Sequence, residues 1–199
     1  MYKGNSSRIV PILLVLVVVA IAIAGLVSVG RMVFGGDQSN DEQVDVGRDA
    51  LLSTSVDRSV RMTVRGPIVA DEAFRSYQIT VTPTKRQLVT YSGYLDSPLE
   101  TKQYSNNSKA YEQFVHALDK ANMMNGEEFE GEKDDTLGIC ATGNVFEFEV
   151  LRADSSVKRL WTSTCRGSSG SFKASVDQVE NLFVQQVPDA REVLKDLDI

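Results

Sequence analysis

Two cysteines, Cys140 and Cys165, carry the widest chemistry in this 199-residue chain, because a thiol pair can bond or one thiol can attack a carbonyl. With them comes a single histidine, His116, so a His/Cys zinc cage or an iron–sulfur cluster cannot be built from this chain alone. The cysteines flank an alternating stretch that reads as a β-hairpin, with Val145 to Leu151 running out, Ala153-Asp154-Ser155 turning and Val157 to Cys165 returning. A turn centred on Asp154-Ser155 sets Cys165 opposite Asn144, and leaves Cys140 about 13 Å further along at ~3.3 Å per residue. A disulfide needs Cα atoms within ~7 Å. The stretch Ala141-Thr142-Gly143-Asn144 has turn chemistry that can fold the chain back. Outside the cytoplasm the pair is expected to bond, for roughly 3–4 kcal/mol of stabilisation.

The rival for Cys165 is nucleophilic catalysis. Leu160 to Cys165 reads LWTSTC, and its Thr164-Cys165 end resembles the strand that carries the catalytic thiol of sortases. That resemblance implies an anchored transpeptidase whose thiol is Cys165. Position 163 is Ser, and Trp161 and Thr162 do not reproduce the Thr-Leu pair of that strand. A sortase also needs a His and an Arg around the thiol. Here His116 lies inside a helical pattern, and Arg166, adjacent in sequence, points to the other strand face.

Other groups have plainer readings. Ser155 and Lys158 have the Ser-x-x-Lys spacing of serine acyl enzymes, but lie in a hairpin without the accompanying elements. Residues 127–135, EEFEGEKDD, cluster six acids; their spacing fits no EF-hand loop, so they read as a solvated loop, with Ca²⁺ the rival. Gly167-Ser168-Ser169-Gly170-Ser171 lacks the Lys of a phosphate loop and reads as a linker within the domain. Arg61 and Arg65 share one strand face in a segment, 58–86, of net charge +4. They are the candidate anion-binding residues, for envelope polymer or lipid headgroups, against the alternative of a solvated sheet face. No metal site and no cofactor are expected.

These residues hang on a chain of two unlike parts. From Ile9 to Gly30 no residue is charged, and twenty-odd apolar residues match a hydrocarbon core of roughly 30 Å. The spacing predicts a transmembrane helix over 9–30, after a short N-terminus of residues 1–8. Lys3 and Arg8 precede it, and acids follow Arg31, which places the N-terminus in the cytoplasm. Ala22-Ile23-Ala24 has the small-x-small form of a cleavage site, but the apolar run continues past it, so an uncleaved signal anchor is expected. Ala20, Ala24 and Ser28 form a small-residue face for a homodimer in the membrane.

Residues 31–55 read as a linker with a short helix near 46–54, placing Val46, Ala50 and Leu51 on one side. The chain's net charge is -6, and with the three basic residues of 1–36 set aside the remainder carries -9, so nucleic acid is not an expected partner. Over 56–199 the periodicity predicts strands at Val56–Val64, Tyr77–Val81 and from Leu88, then a helix through Tyr111, Phe114, Leu118 and Ala121. Asn107 or Ser108 caps that helix and Asn125-Gly126 ends it. After the hairpin, Ser175 with Gln178 and Asp189 with Glu192 make two capping boxes. The order β-β-β-α-β-β-α-α defines an α+β domain, an antiparallel sheet of about five strands with helices on one face.

The stretches RGPIVADE, ICATGNVFEFEV and LWTSTC resemble the small, uncharacterised, single-pass envelope proteins of bacteria with minimal genomes, a resemblance that implies no activity. Together these features lead to an expected extracytoplasmic binding or scaffolding module of unknown ligand, more a module than an enzyme.

Overall fold

The computed structural model describes residues 45–197 and Ile199. The apolar span, its flanks and the Ala20, Ala24, Ser28 face lie outside the described residues. Among the described residues no helix is long and apolar enough to cross a membrane.

Six strands form one antiparallel sheet: β1 Arg58–Arg65, β2 Arg75–Val81, β3 Lys85–Ser92, β4 Ser97–Ser105, β5 Val145–Arg152 and β6 Ser155–Ser163. Their spatial order is β4-β3-β2-β1-β5-β6. The helices are α1 Val46–Leu52, α2 Ser108–Lys120, α3 Val176–Val184 and α4 Ala190–Lys195. The domain is α+β, as the order of patterns implied, but with six strands rather than five. The extra strand is β4, SPLETKQYS, which lies at the sheet edge and is solvated along most of its length. With both faces wet it has no apolar alternation to betray it.

Period-two patterning sets the faces. Val60, Met62 and Val64 of β1 stand beside Val81, Ile79 and Tyr77 of β2 and Val150, Phe148 and Phe146 of β5. These residues, with Leu88 and Leu160, form one core with Leu51, Tyr111, Phe114, Leu118, Val179 and Phe183 of the helices. Phe114 meets Phe183 edge-on at 5.3 Å, locking α2 to α3. The Tyr77 hydroxyl, buried in that core, donates to Glu180 Oε1 at 2.8 Å, and burial pushes its pKa up.

Several local expectations shift. Strand β1 begins at Arg58, leaving Val56 86% exposed. In α1, Ala50 and Leu51 are buried, as expected, but Val46 faces solvent and Gly47 takes its place, pressed on Lys158. The compact unit spans Asp45–Ile199 and includes α1, held to α2 by Arg48 Nε and Asp119 Oδ1 at 2.7 Å. Asn107 caps α2 by accepting from Ala110 N. The helix stops at Lys120, not at Asn125-Gly126. Asn122 takes a left-handed φ of 57°, Asn122 N donates to Asp119 O, and Met123 N donates to Leu118 O. That is a Schellman stop with Asn in the glycine position, sealed by the buried Met123. Ser175 caps α3 through Gln178 N, but Asp189 sits at φ 62° and makes no side-chain cap on α4.

Candidate functional site

The cysteines are joined. Cys140 and Cys165 form a disulfide with Cα atoms 5.4 Å apart. Two local features bring them together. The hairpin turns on Ala153 and Asp154, both at positive φ, and a bulge follows at Val150/Leu151. The ladder then sets Val145 against Ser163, and Thr164 N donates to Asn144 O at 3.0 Å. Thr164, not Cys165, therefore faces Asn144. The chain folds back at 141–143, and Gly143 allows it, because a Cβ there would collide with Thr164 Oγ1 and press on Cys140 Sγ. Ile68 N donates to Ala141 O, fixing this turn to the β1–β2 connection.

The outer sheet face, opposite the helical core, holds the charged candidates. Arg61 and Arg65 do share it, but neither stands alone. Arg61 Nη1 lies 3.6 Å from Glu149 Oε2, its direct cross-strand neighbour. Arg65 Nε lies 3.4 Å from Glu147 Oε1, and its Nη1 lies 3.6 Å from Asp96 Oδ1. Glu147 is the hub, since it also accepts from Arg159 Nη1 at 2.7 Å and from Thr136 Oγ1 at 3.2 Å. Arg159 Nη2 reaches Asp134 Oδ2 at 3.1 Å. Three guanidinium groups thus interleave with four carboxylates. Burial pushes the Glu149 carboxyl pKa up, against the pull of Arg61.

The spacing of Arg61 and Arg65 does not disclose their partners Glu147 and Glu149, nor Arg159 and Asp134 beyond them. Their signal was present in the alternation of Glu147 and Glu149 with Phe146, Phe148 and Val150. What was missing was the register that lays β5 beside β1.

The acidic segment covers this face. Glu128 Oε1 accepts from Arg159 N at 2.6 Å, and Phe129 packs edge-on against Trp161 at 6.0 Å. Among the described residues no three acidic, His or Cys side chains gather as a metal site. The segment after β6 does more than link. Phe172 N donates to Trp161 O, Trp161 N donates to Ser171 Oγ, and the Thr162 and Ser163 hydroxyls donate to Ser169 O and Ser168 O. Gly170 lies against Trp161 so closely that a Cβ would overlap its carbonyl oxygen.

The remaining candidates are dispersed. His116 is exposed on α2, one turn before Asp119. Lys158 Nζ donates to Met124 O at 2.9 Å and lies 3.4 Å from Asp45 Oδ1, engaged away from Ser155. A shallow polar cleft of about 270 Å³ opens there, lined by Asp45, Arg48, Asp119 and Asn122 among others. No family model matches the chain, and no curated protein is similar to it in sequence.

Proposed function

We propose that the chain is a membrane-anchored binding or scaffolding module of the cell envelope, held by residues 9–30 with its N-terminus cytoplasmic and its α+β domain outside. The disulfide carries this reading. Such bonds persist in oxidising compartments, and the flanking charges of the apolar span orient the chain the same way. The same bond weighs against a sortase-like transpeptidase. A sulfur held in a disulfide has no thiolate with which to attack. Ligand binding through Arg61 and Arg65 belongs to this reading as the anionic option. It requires an anion to compete with Glu147, Glu149 and Asp96 for guanidinium groups already paired.

The test combines protease and thiol chemistry in cells that express the full chain. Protease added once outer barriers are opened is expected to digest the domain and spare the N-terminal span. Alkylation in denaturant without reductant should leave both cysteines unlabelled, and prior reduction should label both. A protected domain, or two cysteines labelled without reductant in protein taken from the envelope, would overturn the reading.

A further inference from the structure

The two edges of the sheet are finished differently. At β6 the segment Ser168–Phe172 runs along the strand and takes up its outward hydrogen bonds. At β4 no described segment does so, and the Arg86 guanidinium takes up Ser105 O alone, at the end of the strand. The ladder shows which groups are left over. Asn106 N donates to Thr84 O at 2.8 Å, and the register continues Arg86 with Tyr104, Leu88 with Lys102 and Thr90 with Glu100. Antiparallel pairs alternate between bonded and unbonded, so Glu100, Lys102 and Tyr104 spend their backbone groups on β3. Those of Thr101 and Gln103 point outward.

We propose that β4 pairs with β4 of a second copy of this chain, antiparallel and centred on Thr101, joining two sheets into one. The centre is set by parity and charge together. Outward backbone groups belong to odd-numbered residues, so the two-fold axis falls on an odd residue, at a bonded pair, or on an even one, at an unbonded pair. An axis on Glu100 or Lys102 sets that residue opposite its own copy, like charge against like, which leaves the odd positions. Centring on Thr101 sets Glu100 opposite Lys102 of the second copy, and Lys102 opposite its Glu100. Centring on Gln103 sets Lys102 opposite Tyr104 and leaves Glu100 without a cation. Within one chain Glu100 Oε1 already lies 2.8 Å from Lys102 Nζ, so pairing places four alternating charges side by side. Opposite charges directly across a ladder stabilise it and like charges oppose it. Leu99, 56% exposed, is brought against Gln103 of the second copy. Pro98 and the bulge at Thr90/Tyr91 end the ladder on that side. A lone lysine and a proline ordinarily guard an edge against pairing. Here Glu100 turns the guard into a selector for one register. A ladder this short makes a concentration-dependent dimer rather than an obligate one.

The experiment uses the full chain with Thr101→Cys as a single free thiol, the native cysteines being bonded. A short bis-maleimide is expected to give a covalent dimer. Either Glu100→Lys or Lys102→Glu in that background should lower the association constant about tenfold or more, because both cross-strand pairs become like-charged. Combining the two reversals restores opposite charges and should restore crosslinking. All three positions are on a solvated edge strand, and fluorescence from buried Trp161 checks that each variant is folded. Absence of the Thr101→Cys dimer would overturn the proposal. So would crosslinking indifferent to charge, as expected of a dimer held by the Ala20, Ala24, Ser28 face, or failure of the double reversal to rescue.

Discussion

Removing the disulfide should cost about 3.5 kcal/mol, and should cost it only once. The bonded residues are 25 apart in sequence, and closing a loop of that length removes roughly 12 cal/mol/K of entropy from the unfolded chain. At 298 K that is about 3.5 kcal/mol, a large share of a small domain's stability. Alanine is the right replacement. Cys140 is only 3% exposed, and serine there would add the cost of burying a hydroxyl, whereas Cys165 is half-buried and would not share it. Cys140→Ala and Cys165→Ala should therefore lose nearly equal stability, and the double variant no more than either. Reduction of the unaltered protein should reproduce the same loss.

Trp161 makes the assay direct. It is the only tryptophan in the chain and is 2% exposed, so its emission in a urea titration of the full chain, in mild detergent, reports the domain alone. The denaturant slope should rise in the uncrosslinked forms, because their unfolded chain expands further. A single-variant loss below about 1 kcal/mol would refute the loop-entropy argument. A double-variant loss near twice the single would show two independent contributions rather than one bond.

Phe114→Ala should cost about 3–5 kcal/mol, since it empties the site that Phe114 fills against Phe183; a loss under about 1 kcal/mol would mean α2 does not pack there. Asn122→Ala should lose about 1 kcal/mol because alanine resists positive φ, while Asn122→Gly should be neutral or slightly stabilising; equal losses would remove the left-handed stop as the cause. Glu149 has its carboxyl pKa raised in the folded state, so its contribution is fully present below the unfolded value of ~4.3 and is lost as pH rises through the folded one. Glu149→Gln should therefore gain stability relative to the unaltered protein as pH climbs from about 4 to 7, and the opposite trend in paired urea titrations would contradict the burial cause.

Elements that bury one face were legible from periodicity. Strands β1, β2 and β5, with helices α2 and α3, each show their apolar stripe at the spacing of their own geometry, and each lies close to its expected position. Two kinds of element were not. Strand β4 exists because β3 offers it a ladder, and hydrogen bonding to a neighbour leaves no mark in hydropathy. Turn chemistry points to Asn125-Gly126, the stronger turn dipeptide, for the stop of α2, whereas the chain turns at Asn122, where Met123 is buried against the helix end. Packing of that one methionine outweighed the local turn preference. The disulfide was legible as a pair, but its geometry depended on a bulge and on Gly143, neither of which the spacing of the cysteines encodes.

The outer face makes the same point about function. Arg61 and Arg65 were legible as basic residues on one strand face, and basic residues alone suggest an anion site. Charge counted along a strand is not charge at a surface, because the neighbouring strand decides what remains uncompensated. Here β5 supplies Glu149 and Glu147 on the same face, and the β3–β4 turn adds Asp96. Each arginine is also only partly exposed, so its pairing is less screened than that of a surface ion pair. An anion that binds there must displace a carboxylate already within 3.6 Å, and that carboxylate must then find solvent. With four carboxylates set among three guanidinium groups, the face holds no surplus of positive charge to draw an anion in. The same network ties the acidic loop to the sheet, because Glu147 links Arg65 to Arg159, and Arg159 holds Asp134 of that loop, so loosening any one arginine loosens its neighbours' carboxylates.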